Sequence, residues 1–121
     1  MRRFVGLDSQ ELARRIVDLA SDKQAADVVM LDLRDVSLIA DYFVLCTGTS
    51  ERQIKAIVDD VVETLAREDR LKPLRMEGLP DSGWVLLDYG VVVFHVFSSE
   101  MRDFYRLEKI WSRAVPVLRI A

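Results

Sequence analysis

Apolar positions recur along this chain with two different periods. Leu12, Ile16, Leu19 and Ala20 fall at helical spacing, with Arg14, Arg15 and Asp18 mostly between them, which predicts a first helix. Asp8 and Glu11 stand at capping-box spacing, so the helix starts near Asp8, and Leu7 can meet Leu12 as a hydrophobic staple. Ile54, Ile57, Val58, Val61, Val62 and Leu65 form a longer stripe that predicts a second helix. Each buried aliphatic contributes roughly 1.5–3 kcal/mol, so that stripe must pack on a sheet. Arg52, Lys55, Asp59, Asp60, Glu63 and Arg67 belong to its solvated side. A third helix carries Met101, Phe104, Tyr105, Leu107, Ile110 and Trp111, with Ser98 or Ser99 as its cap and Pro116 beyond its end.

The other period belongs to strands. Asp27 to Leu33 is β-branched and apolar, and Tyr42 to Thr47 is continuously apolar, as in a strand buried on both faces. Between them RDVSLIAD reads as a connection with one turn of irregular structure. A short strand around Leu74 to Met76 precedes a loop from Gly78 to Gly83. Trp84 to Asp88 and Val91 to Phe97 form a hairpin joined at Tyr89-Gly90, where Gly90 supplies the positive φ of a tight turn. The order of elements predicts one α/β domain, a mixed sheet flanked by helices, with its core at about 8–113 of 121 residues.

The hairpin fixes which side chains share a face. Even-numbered residues of its first strand oppose odd-numbered residues of its second. Val85 and Leu87 therefore join Val92, Phe94 and Val96 on a wholly apolar face, which reads as core. Trp84, Leu86 and Asp88 join Val91, Val93, His95 and Phe97. That mixed face is either a second, partly polar core layer or a surface built for contact, with Trp84 as an anchor.

Charge and composition narrow the function. The formal charge is −3, and direct wrapping of nucleic acid needs a lysine and arginine excess. The same balance permits a basic protein partner. No apolar run reaches the ~20 residues of a membrane helix, and no secretory signal is visible, so the expected location is the cytoplasm. With one cysteine and one histidine, an intrachain disulfide is excluded and a zinc site has too few ligands. Cys46, inside YFVLCTG, reads as a small buried hydrophobe.

Candidate chemistry is sparse. The turn TGTSERQ leads from a strand into a helix and has the backbone N–H groups to hold a phosphate, but it lacks the Walker pattern. The plainer reading is that Thr49 or Ser50 caps the helix. The same strand, turn and helix open the nucleotidyltransferase fold, whose active members hold magnesium on paired carboxylates. Here Glu77, Asp41 and Asp88 are scattered singles. His95 has no nucleophile elbow near it and reads as a hydrogen-bonded sheet residue, reaching across the hairpin toward Trp84 or the connecting loop. An enzyme is not expected, and neither is a cofactor.

Three blocks, DYFVLCTGTSERQIKAI, GWVLLDYGVVVFHVF and RDFYRLEKIW, resemble in order and distance the diagnostic blocks of the ribosomal silencing factor (Iojap-related) family. The resemblance runs from about Asp8 to Trp111. It implies a nucleotidyltransferase-like sandwich without catalytic carboxylates. It implies docking on a basic large-subunit ribosomal protein, number fourteen in the ribosomal naming, at the face where the small subunit joins. Such docking blocks joining and represses translation under nutrient limitation. Mitochondrial relatives in the family act in large-subunit assembly, and free members are often homodimers. Carried onto this chain, the contact block holds Trp84, Asp88 and Tyr89, with Leu86 on the same strand. Glu77 and Asp81 lie in the preceding loop region, placed to meet basic side chains. His95 and Tyr105 match family positions that can serve the fold. Where members usually show Asp-x-Gly-Asp, this chain has DYGV, so Val91 stands in place of a carboxylate.

Overall fold

The computed structural model describes residues 7–105 and 115–120. Three helices, α1 (Ser9–Asp22), α2 (Glu51–Glu68) and α3 (Ser99–Tyr105), accompany six strands. The strands are β1 (Ala26–Asp32), β2 (Tyr42–Gly48), β3 (Arg75–Glu77), β4 (Trp84–Asp88), β5 (Val92–Ser98) and β6 (Val115–Ile120). They form one mixed sheet in the order β3-β4-β5-β2-β1-β6. Only β2 and β5 are parallel neighbours; every other pair is antiparallel. The expected positions Leu107, Ile110 and Trp111 lie outside the described residues.

Local chemistry sets the helix starts. Asp8 accepts from the Glu11 N–H at 2.8 Å, and Glu11 accepts from the Asp8 N–H at 3.2 Å, completing the capping box. Ser50 caps α2 by accepting from the Gln53 N–H at 3.0 Å. Ser98 Oγ accepts from the Met101 N–H at 3.2 Å at the start of α3. Gln53 also donates to the Lys23 and Gln24 carbonyls, tying the start of α2 to the end of α1. At the other end of α2, Arg15 of α1 pairs with Glu68 and Asp69.

Helices α1 and α2 bury their apolar stripes on one face of the sheet. There Ile16, Ile57, Val61 and Leu65 meet Val44, Leu87, Phe94 and Val96 in one cluster. The opposite face carries a smaller cluster of Val29, Leu31, Leu45, Val93 and Phe97. Val36 and Ala40 of the connection after β1, and Met101 of α3, cover part of it. Because β2 lies between β5 and β1 with apolar clusters on both sides, its continuous apolar character follows. Cys46 is fully buried, and burial pushes its thiol up to about 12, which keeps it protonated and inert. Among the described residues no helix is long and apolar enough to cross a membrane.

The hairpin register agrees with the parity expected from the sequence: Trp84 opposes Phe97, Leu86 opposes His95 and Asp88 opposes Val93. The turn is one residue longer than Tyr89-Gly90. Val91 lies outside the strand, the Tyr89 N–H donates to the Val92 carbonyl at 2.9 Å, and Gly90 has φ +88°. The strand β6 is absent from the sequence reading, which placed only a helix-ending Pro116 there. It pairs antiparallel with β1, with Pro116 opposite Leu31 at a register shift, so the sheet continues to Ile120.

Candidate functional site

The candidate site is the sheet face opposite α1 and α2, where β4 brings Trp84, Leu86 and Asp88 to one side. All three are half-buried. The Trp84 ring stacks on Phe97 at 5.1 Å between centroids, and its Nε1–H donates to Nδ1 of His95 at 3.2 Å. The bond across the hairpin expected for His95 is therefore present. It fixes the imidazole tautomer: Nδ1 accepts, so the ring proton sits on Nε2. His95 is buried, and desolvation followed by the nearby Arg102 charge pushes its pKa down to about 4.

That neutral histidine makes the fold pH-sensitive. Unfolded, His95 binds a proton near its ordinary 6.5; folded, it stays neutral down to about 4. Between those values the unfolded chain holds more protons, so stability is full above the window and falls as pH drops through it. Urea midpoints taken from about pH 7 to about pH 4.5 should decline for this reason. The His95→Gln variant, which does not titrate, should show a shallower decline.

Two glycines set the approach to β4. Gly78 has φ +85°, and a Cβ there would stand 2.0 Å from the Trp84 carbonyl oxygen. Gly83 has φ +82°, and its Cβ would fall 2.6 Å from Met101 Cγ. The loop can therefore lie close against both β4 and α3. A groove of about 340 Å³ results, lined by Glu77, Gly78, Ser82, Trp84, Leu86 and Met101.

The charged rim is already paired. Arg75 on the edge strand β3 reaches Glu77 at 2.8 Å and Asp88 at 3.4 Å. Asp88 also accepts from the Gly90 N–H at 2.8 Å, so it caps the hairpin turn without a carboxylate at Val91. Exposed pairs of this kind are worth ~0–1 kcal/mol, so a partner cation can exchange with Arg75 at little cost.

Four of the six sequence-derived residues, Glu77, Trp84, Leu86 and Asp88, come together on this face. Asp81 does not join them. It lies in the helical turn Pro80–Ser82 and lines a separate groove with Glu51, Arg52, Lys55, Leu79 and Pro80 at the start of α2. Tyr89 is corrected outright: it is 6% exposed and packs in the helix-side core, because the longer turn carries its side chain to the Leu87 face. Burial pushes its phenol up to about 12, and its hydroxyl has no hydrogen-bond partner. A residue facing that core cannot contact a partner on the opposite face.

The sequence reading also missed two features here. Leu38 and Ile39 stand 106% and 88% exposed on the connection after β1. Ser37 Oγ braces that tip by accepting from the Ile39 N–H at 3.1 Å. Ile39 shares a hollow with Leu86 and Asp88. Two adjacent apolar residues inside RDVSLIAD were the available signal. The second feature is Arg102, buried on α3, which donates to Thr47 Oγ1 at 3.1 Å and reaches Asp27 at 3.4 Å. Its place between Met101 and Phe104 in the helix pattern gave no sign of burial.

The turn before α2 is arranged for capping. The Thr49 N–H and hydroxyl both donate to Gln53 Oε1, at 2.6 and 2.9 Å, while Ser50 takes the Gln53 N–H. Among the described residues, no group of three or more His, Cys, Asp or Glu is placed to hold a metal ion.

This fold and face define a small α+β protein with a mixed sheet, helices on one side and a partly open apolar strip on the other. The same architecture is found in the crystal structure of protein CV0518 from Chromobacterium violaceum, at a TM-score of 0.82 and 30% identity over 88% of each chain. Residues 7–120 match the family model described as ribosomal silencing factor during starvation. The ribosomal silencing factor RsfS of Halalkalibacterium halodurans is 41% identical over 111 residues, covering 92% of this chain and 94% of the relative. RsfS of Bacillus subtilis is 43% identical over 93 residues, covering 77% and 78%. The chain belongs to the ribosomal silencing factor family.

Proposed function

We propose that this chain is a steric repressor of translation. It docks on the large ribosomal subunit, through a basic ribosomal protein (number fourteen), at the face where the small subunit joins. Occupying that face blocks joining when nutrients are limiting. The observation that carries this reading is the strip of Trp84 and Leu86 on β4, half-buried and rimmed by Glu77 and Asp88. An aromatic anchor inside a polar rim is the usual anatomy of a docking surface. Family membership supplies the partner.

The account needs no catalysis. The β2-turn-α2 unit fits a nucleotidyltransferase-like sandwich that has kept its framework for binding. The proposed place of action is the cytoplasm. Free copies pair as homodimers, and the Trp84 strip is the proposed cover in that state, so dimer and ribosome compete for it.

Joining of purified subunits tests the reading. With the chain in excess over large subunits, the fraction of joined ribosomes on a sucrose gradient should fall severalfold. Adding the chain after joining is complete should have far less effect. Unchanged joining, with the chain folded and bound, would leave docking in place and remove repression by steric block.

A further inference from the structure

Beside Leu86 the docking face holds a hollow of about 200 Å³. Its walls are Ile39, Ala40, Phe43, Leu86 and Val93, and Arg75 and Asp88 stand at its mouth. His95 lines it as well, with its ring 4.6 Å from that of Phe43. Nδ1 of His95 is turned to the Trp84 indole, which lines the neighbouring groove and not this hollow. The opposite edge of the imidazole, bearing Nε2, is thereby turned toward the hollow. Nε2 carries the ring proton, is buried, and has no hydrogen-bond acceptor.

A buried N–H without an acceptor costs ~1–3 kcal/mol, and apolar walls offer it none. Whatever enters the hollow to remove that cost must bring an acceptor. A cation brings only donors, and it would meet the positive charge of Arg102, which acts on His95. A carboxylate would lose its hydration against Phe43, Leu86 and Val93 with a neutral N–H as its main compensation. A hydroxyl or side-chain amide oxygen meets the donor without either penalty. We propose that this hollow is a socket for one uncharged, oxygen-bearing side chain of the docking partner, which accepts from Nε2–H of His95.

The inference rests on the docking reading and deepens it. The indole strip supplies apolar contact, Glu77 and Asp88 meet charge, and the socket selects a neutral polar residue between them. Unpaired donors discriminate strongly, because a partner lacking the acceptor leaves the N–H buried and unsatisfied.

The test is co-sedimentation with large ribosomal subunits of the wild type and three variants, each checked for folding. Ile39→Trp plugs the hollow from an exposed loop and leaves the indole–imidazole bond untouched. It should weaken binding tenfold or more. His95→Phe, which removes the donor, should do the same. His95→Gln keeps an N–H for the socket and an oxygen for the indole, and should bind within a few-fold of wild type. If the wild type binds and both Ile39→Trp and His95→Phe bind equally well, the socket is overturned and docking stands. If His95→Gln is as weak as His95→Phe while Ile39→Trp binds normally, the socket is likewise overturned. If the folded wild type does not bind, the docking reading fails and takes the socket with it.

Discussion

Trp84→Ala should weaken binding to large ribosomal subunits by at least about thirtyfold, equivalent to ~2 kcal/mol. The indole is the largest half-buried side chain on the proposed docking face. It is held in place on one side by Phe97 and at its N–H by His95. A ring fixed before docking loses little rotamer entropy on binding, so most of its contact area counts toward affinity. Removing it deletes that area and leaves Nδ1 of His95 without its donor. Lys55→Ala, on the solvated side of α2, serves as the control and should bind as the wild type does. Titration of labelled protein against large subunits, read by anisotropy, measures both. Equal affinity for Trp84→Ala and wild type would remove β4 from the interface.

Phe94→Ala should lower unfolding free energy by ~3–5 kcal/mol, measured by urea denaturation. Phe94 is fully buried on β5 in the helix-side core. It stands opposite Leu87 of β4 and Val44 of β2, so both neighbouring strands feel its loss. Partial collapse cannot refill a site between two paired strands and a helix layer, which places the cost at the high end for a buried aromatic. Against a total of ~5–15 kcal/mol this is a large share. Because Phe94 faces away from the docking strip, any Phe94→Ala protein that remains folded should bind large subunits normally. A loss under ~1 kcal/mol would mean that the helix layer is not packed on β5 as described.

The two faces of the hairpin were legible because strand alternation is strict. Once Gly90 marks the turn, parity alone separates Val85, Leu87, Phe94 and Val96 from Trp84, Leu86 and His95. Tyr89 escaped that logic because it lies in the turn, where alternation ends and one extra residue redirects the side chain. The capping of α1 and α2 was legible for the same local reason: Asp8, Glu11 and Ser50 act within three residues of themselves. The strand β6 was hidden by Pro116, which reads as a breaker, yet edge positions tolerate a missing N–H. Asp81 was close to Trp84 in sequence, but the turn at Pro80–Ser82 sends the two to different grooves. The hollow beneath Ile39 joins residues from the connection after β1, from β2, and from β4 and β5. Strand order brings those segments together, and periodicity carries no strand order. The pairing of Trp84 with His95 shows the converse case, where one antiparallel neighbour suffices to expose a functional contact.

The central claim is that this face docks on the large subunit, and co-sedimentation of the wild type with purified large and small subunits tests it most directly. The account predicts that the chain pellets with large subunits and not with small ones. Pelleting equally with both, or with neither while the chain is folded, would contradict it.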